Sequence, residues 1–177
     1  MASSIRLLVS DIDGTLITPD KTLTDRTVDA VRRLHAAGIL FAITSSRPPP
    51  GLAMYATPLQ VTTPLGAYNG GAYCDPTTLQ VLDHRAIPDA AVAPLVETIE
   101  AAGLQAWLYR GGAWLVRDVD AWHVQHEAEV VQFTPTEVAD FGDLEGADAA
   151  DVVKVVGVGQ DHDAVKRVES EIRAQLG

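Results

Sequence analysis

The sequence predicts an α/β protein in two parts, and three observations carry that expectation. A short apolar run at residues 5 to 9 ends in the acidic turn Ser10-Asp11-Ile12-Asp13-Gly14. An amphipathic stretch then leads to a second apolar run at 39 to 43, which ends in Thr44-Ser45-Ser46-Arg47. Beyond residue 83 the pattern changes to an alanine-rich helix, a hairpin, and a further strand and helix. Strand, helix and strand joined by a right-handed crossover make the two strands parallel and set both polar clusters on one sheet edge. That edge is where open α/β sheets bind ligands.

Residues 5 to 9 are short, leucine-rich and bounded by polar residues, and they read as a buried strand. Thr24 is placed to cap the following helix, with Leu23 and Val28 at the positions of a hydrophobic staple. Val28, Val31 and Leu34 make one apolar stripe, away from Asp29, Arg32 and Arg33. Gly38 stands where a left-handed residue stops a helix. A shorter helix is expected at 51 to 57, after the prolines Pro48 to Pro50. A third strand is expected at 64 to 68, ending in Asn69-Gly70-Gly71. Residues 72 to 74 and 79 to 82, on either side of Asp75-Pro76, read as a hairpin.

In the second part, residues 90 to 102 form a helix with Val92, Leu95, Val96 and Ile99 inward and Gly103 as its stop. Residues 105 to 109 and 113 to 116 flank Arg110-Gly111-Gly112, a hairpin signal. A helix within 120 to 129, a strand at 152 to 156 and an amphipathic helix at 163 to 176 complete the pattern. Trp107, Trp114 and Trp122 are expected to pack this part's core. The expected division is 1–83 and 84–177.

Composition narrows the function. The 177 residues are 47% apolar, with 24 acidic and 13 basic side chains and a formal charge of −11. That balance opposes nucleic acid and anionic lipid as partners. Cys74 is the only cysteine, so neither an intrachain disulfide nor a cysteine metal cluster forms. Arg6 interrupts the first apolar run, and no stretch reaches the ~20 apolar residues of a membrane helix. A soluble protein of a reducing compartment, the cytoplasm, is expected.

Asp11 and Asp13 are the chemical centre. Carboxylates this close repel unless a cation or a shared proton offsets the charge. Magnesium suits them, being a hard cation that prefers carboxylate, water and phosphate oxygens. The plainer alternative is a helix cap or surface turn, and the strand before the pair favours the ligand reading. A calcium loop is excluded, because regular oxygen ligands after Gly14 are missing. His123 and His126 could suggest zinc, but their spacing is that of any surface helix.

These segments resemble known motifs. Asp11-Ile12-Asp13-Gly14-Thr15-Leu16 resembles the first motif of the haloacid-dehalogenase-like phosphatases. Ala42-Ile43-Thr44-Ser45-Ser46-Arg47 resembles their second, in the form of the Cof-type branch. Ala67-Tyr68-Asn69-Gly70-Gly71 resembles that branch's Asn-Gly segment, and residues 84 onward resemble its α+β cap. The resemblance implies a Rossmann-like core, here its N-terminal part, with an inserted cap. It implies a Mg²⁺-dependent phosphatase of small phosphorylated metabolites. Asp11 would be the nucleophile that becomes an aspartyl phosphate, and Asp13 the acid and then the base. Mg²⁺ would be bound by the Asp11 carboxylate and the Asp13 main-chain carbonyl. The Thr44 hydroxyl and the N–H groups of Ile12 and Ser45 would hold the phosphoryl group. Arg47 would lie near phosphate or cap, against the alternative of a surface ion pair with Asp20 or Asp25. Asn69 would lie near substrate, against the alternative of a plain turn.

The resemblance also implies what these residues lack. The family's Gly-Asp-x-x-Asn-Asp segment and its phosphate-steadying lysine find no match. Asp140-Phe141-Gly142-Asp143 falls within the cap block, Gly159 to Asp163 reads as a strand-to-helix turn, and Lys154 sits mid-strand. A parallel sheet of two or three strands is a thin core. A second chain or a missing C-terminal segment is therefore expected to complete it. The rival expectation is a catalytically inactive truncated module that acts in binding or assembly.

Overall fold

The computed structural model describes residues 5–110, 112–141 and 152–176. The chain divides into two compact units, Met1–His84 and Arg85–Gly177. The first runs β1 (Leu7–Asp11), α1 (Asp25–Ala36), β2 (Leu40–Thr44), α2 (Pro49–Ala56), β3 (Leu65–Ala67), β4 (Ala72–Cys74) and β5 (Val81–His84). These strands form one sheet in the order β1-β2-β3-β4-β5. The first three pair in parallel, within the expected two or three strands, and the hairpin of β4 and β5 pairs antiparallel onto β3 and widens the same sheet to five.

Local chemistry accounts for these elements. Thr24 caps α1, its side chain accepting from the Thr27 N–H. Gly38, at φ 72°, takes the left-handed position after that helix. α2 begins at Pro49, inside the prolines and earlier than expected. Proline costs nothing in a first helical turn, where its missing N–H has no partner to lose. Phe41 and Ile43 alternate onto one face of β2, at 2% and 1% exposure. Burying such side chains stabilises by about 1.5–3 kcal/mol each.

β1 corrects the expectation of a buried strand. It is the edge of the sheet, and Leu7, Leu8 and Val9 are 48%, 39% and 57% exposed. The register Leu7↔Leu40, Val9↔Ala42, Asp11↔Thr44 puts these six residues on one face. Leu7, Val9 and Leu40 thus form an exposed apolar strip that leads to Asp11 and Thr44. The apolar run correctly signals a strand that seeks cover. Among the described residues nothing pairs with its outer edge.

The second unit runs α3 (Asp89–Ala101), β6 (Gln105–Arg110), β7 (Ala113–Val116), α4 (Trp122–Val131), β8 (Thr136–Glu137), β9 (Val152–Val158) and α5 (His162–Leu176). Its sheet has the order β8-β7-β6-β9. A core of Val96, Ile99, Leu108, Leu115 and Val168, among others, joins sheet and helices. At Gly157 a Cβ would come within 3.3 Å of Ile99, so glycine allows close helix approach. Trp107 and Trp114 are buried, with ring centroids 5.1 Å apart. Trp122 is 67% exposed, stacked on His126, and is not core as expected. It sits in the first turn of α4, where an apolar residue need not face inward. Lys154 lies in β9, its ammonium over the Tyr109 ring. Asp161 caps α5, its carboxylate accepting from the N–H groups of Asp163 and Ala164. Gly142, Asp143 and Leu144 lie outside the described residues.

Candidate active site

The parallel pairing of β1 with β2 sets Asp11 directly opposite Thr44. Directly after Asp11 the chain turns. The N–H groups of Thr15, Leu16 and Ile17 all donate to the Ile12 carbonyl, at 3.3, 2.9 and 3.3 Å. Gly14, at φ 75°, supplies a conformation that this turn needs and that other residues resist. Ile12, Leu16 and Ile17 are buried and pin the turn down. With Ile12 sunk, the carboxylates on either side remain accessible. Asp11 is exposed, and its carboxylate makes no ion pair among the described residues.

Asp13 is held by two cations. Arg47 donates from Nε to Oδ2 at 2.8 Å and from Nη2 to Oδ1 at 3.0 Å. Lys21 donates from Nζ to Oδ1 at 2.6 Å. The fork of Arg47, foremost, and the Lys21 ammonium outweigh partial burial and bring the Asp13 carboxyl down to about 2. Arg47 is 4% exposed and lies over the Tyr55 ring, 5.3 Å from its centroid. The alternative of a surface pairing of Arg47 with Asp20 or Asp25 gives way to this bond to Asp13.

The loop after β2 is cross-tied to β3 and the turn beyond it. Thr44 Oγ1 donates to the Gly66 carbonyl at 3.2 Å. Gly66 is required here, because a Cβ would meet that oxygen at 2.8 Å. The Ser45 N–H, expected to face phosphate, donates to the same carbonyl at 2.9 Å. That donor is occupied by loop structure. The Asn69 N–H donates to Ser45 O at 2.8 Å, and the Tyr68 N–H to Arg47 O at 3.1 Å. Both residues adopt positive φ, 57° and 53°. Asn69 therefore stands beside residues 45 to 47 as the hinge of a tight turn, which explains asparagine there.

Asp11, Ile12, Asp13, Thr44, Ser45, Arg47 and Asn69 thus gather at one sheet edge. Sequence reasoning missed Lys21 and Tyr55. Tyr55 Oη donates to the Lys21 carbonyl at 3.3 Å, which closes a ring through Arg47 and Asp13. The available signal was a lone lysine among Asp11, Asp13, Asp20 and Asp25.

The family model of haloacid dehalogenase-like hydrolases matches residues 8–177. The chain belongs to this family. The chain is 28% identical over 174 residues to the 5-amino-6-(5-phospho-D-ribitylamino)uracil phosphatase YitU of Bacillus subtilis, covering 96% of this chain and 63% of that one. It is 27% identical over 132 residues to the pyridoxal phosphate phosphatase YbhA of Escherichia coli, covering 75% and 48%. Its fold matches a haloacid dehalogenase-like hydrolase structure from Bacteroides thetaiotaomicron with TM-score 0.83 and 26% identity, over 98% of this chain and 65% of that one. The chain spans less than two thirds of the length of these curated relatives. No helix among its described residues is long and apolar enough to cross a membrane.

Proposed function

We propose that this chain carries the nucleophile and acid/base part of a phosphatase for small phosphorylated metabolites, working in the cytoplasm through an aspartyl phosphate. The observation that carries the reading is Asp11 opposite Thr44 at the C-terminal edge of a parallel sheet, with Asp13 anchored beside them. Asp11 Oδ attacks phosphorus and the leaving-group oxygen departs with the electron pair of the broken P–O bond. Asp13, ionised in the resting site, takes up a proton as the ester binds and delivers it to that oxygen. In the second step Asp13 takes a proton from water, which attacks phosphorus and frees Asp11. Thr44 turns its hydroxyl from Gly66 to a phosphoryl oxygen, and the Ile12 amide is the backbone donor assigned to the same group.

The donors present fit part of a Mg²⁺ site. One exposed carboxylate, Asp11, and the Asp13 main-chain carbonyl suit an ion that keeps several water and phosphate ligands. Among the described residues no group of three His, Cys, Asp or Glu side chains could hold a metal ion. When bound, the ion neutralises the repulsion between carboxylate and phosphate.

The uncovered edge of β1 supports a partner as well. A further strand with flanking helices, on the same protein or on a second chain, would pair with β1 and cover Leu7, Val9 and Leu40. The same observation favours a second reading, a catalytically inactive module that binds a partner through this edge. Hydrolysis of p-nitrophenyl phosphate separates the two. The phosphatase reading expects Mg²⁺-dependent turnover that disappears in Asp11→Asn. Equal turnover in both proteins would remove Asp11 as the nucleophile, and no turnover even with the edge covered would favour the binding module.

A further inference from the structure

The turn after Thr18 carries a side chain that the reaction above does not use. Lys21 lies at φ 62°, a conformation strained for a residue with a Cβ. The turn is tightly specified. The Lys21 N–H donates to Thr18 O at 2.9 Å, the Thr18 N–H to Thr22 O at 3.1 Å, and the Thr22 N–H to Thr18 Oγ1 at 3.1 Å. Glycine or asparagine would make the same reversal without strain. Chain reversal therefore does not account for lysine at this position. Its side chain does, because the turn aims the ammonium at Asp13 Oδ1, 2.6 Å away.

The two cations on Asp13 are unlike. Arg47 is buried, packed on Tyr55, and bonded to both carboxylate oxygens, so it is fixed in place. The Lys21 side chain is 46% exposed and meets one oxygen as a point charge. A half-exposed pair of this kind contributes little and exchanges readily. A phosphate ester offers more negative charge and several acceptor oxygens in the same place.

We propose that Lys21 is a further substrate-contacting residue of this site, whose ammonium passes from Asp13 Oδ1 to the non-bridging oxygens of the bound phosphate ester. The proposal rests on the phosphatase reading. The exchange leaves Asp13 oriented by Arg47 alone, and Oδ1, which keeps its bond to Arg47 Nη2, gains one acceptor position toward the leaving-group oxygen. It also supplies a cation to a phosphoryl site in which Arg47 is committed to Asp13.

Inorganic phosphate in Mg²⁺ buffer, titrated against the full chain and followed by phosphorus NMR, tests this directly. Lys21→Gly removes the ammonium and relaxes the turn, so it is expected to fold with an unchanged or raised melting temperature. It is expected to weaken phosphate binding about tenfold or more, the loss of one charge-assisted hydrogen bond. Lys21→Arg is expected to restore part of that affinity. A merely structural lysine would lower the melting temperature and leave phosphate affinity unchanged. Phosphate binding by Lys21→Gly equal to wild type would overturn the assignment of Lys21 and leave the phosphatase reading standing. No phosphate binding by the wild-type chain would overturn both.

Discussion

Arg47→Met distinguishes an arginine that anchors Asp13 from one that waits for phosphate. Methionine keeps most of the length and apolar bulk, so the cavity term stays small. Two charge-assisted hydrogen bonds to Asp13 are lost. Asp13 is about a third exposed and keeps Lys21, so its charge is not stranded and the loss is about 2 kcal/mol. The cation–π contact with Tyr55 adds about 0.5–1 kcal/mol. The total is about 2–3 kcal/mol, or a fall in melting temperature of about 4–12 °C for a chain of this size. All three tryptophans lie beyond residue 84, so the first unit is followed by far-UV circular dichroism and not by tryptophan fluorescence. A double-mutant cycle with Asp13→Asn is expected to show a coupling of about 1–2 kcal/mol. A melt within about 0.5 kcal/mol of wild type, with no coupling, would refute the anchor and return Arg47 to phosphate.

The remaining predictions use the same geometry. Gly66→Ala places a methyl 2.8 Å from Thr44 Oγ1 and is expected to swing that hydroxyl away. Phosphatase kcat/KM should fall about tenfold or more, measured beside a circular dichroism spectrum close to wild type; an unchanged kcat/KM would remove Thr44 from the site. Acid sensitivity follows from Asp13, whose folded value near 2 lies below its ordinary 3.8. Its contribution is complete above pH 3.8 and is lost as pH falls toward 2. With solvent screening that amounts to about 1 kcal/mol, which Arg47→Met should remove from the pH dependence of urea unfolding. Val9→Lys is expected to cost under about 0.5 kcal/mol in this chain, where Val9 is 57% exposed. With a partner segment covering β1 the same change should cost about 2 kcal/mol or more. Equal small effects in both settings would show that nothing covers that face.

Much of the fold was legible because its signals are local. Thr24 as a cap, Gly38 and Gly103 as helix stops and the hairpin of β6 and β7 each depend on a few neighbouring residues. The gathering of Asp11 and Thr44 followed from the handedness of one crossover. The exposure of β1 was not legible, because an apolar strand reports a demand for cover and not whether a neighbour meets it. Trp122 misled for a related reason: one aromatic residue in a helix's first turn has no periodicity to place it. Lys21 was hidden because its approach to Asp13 depends on a left-handed backbone, which lysine does not advertise. The commitment of the Ser45 amide to Gly66 lay in the pairing of β2 with β3, invisible until the register was known.

The central claim is that Asp11 takes the phosphoryl group. Incubation with a phosphorus-labelled phosphate ester and Mg²⁺, followed by acid quench and peptide mapping, measures it. Label is expected on the peptide containing Asp11, absent from Asp11→Asn and discharged by water in wild type. Turnover that proceeds with no label on that peptide, or that survives in Asp11→Asn, would contradict it.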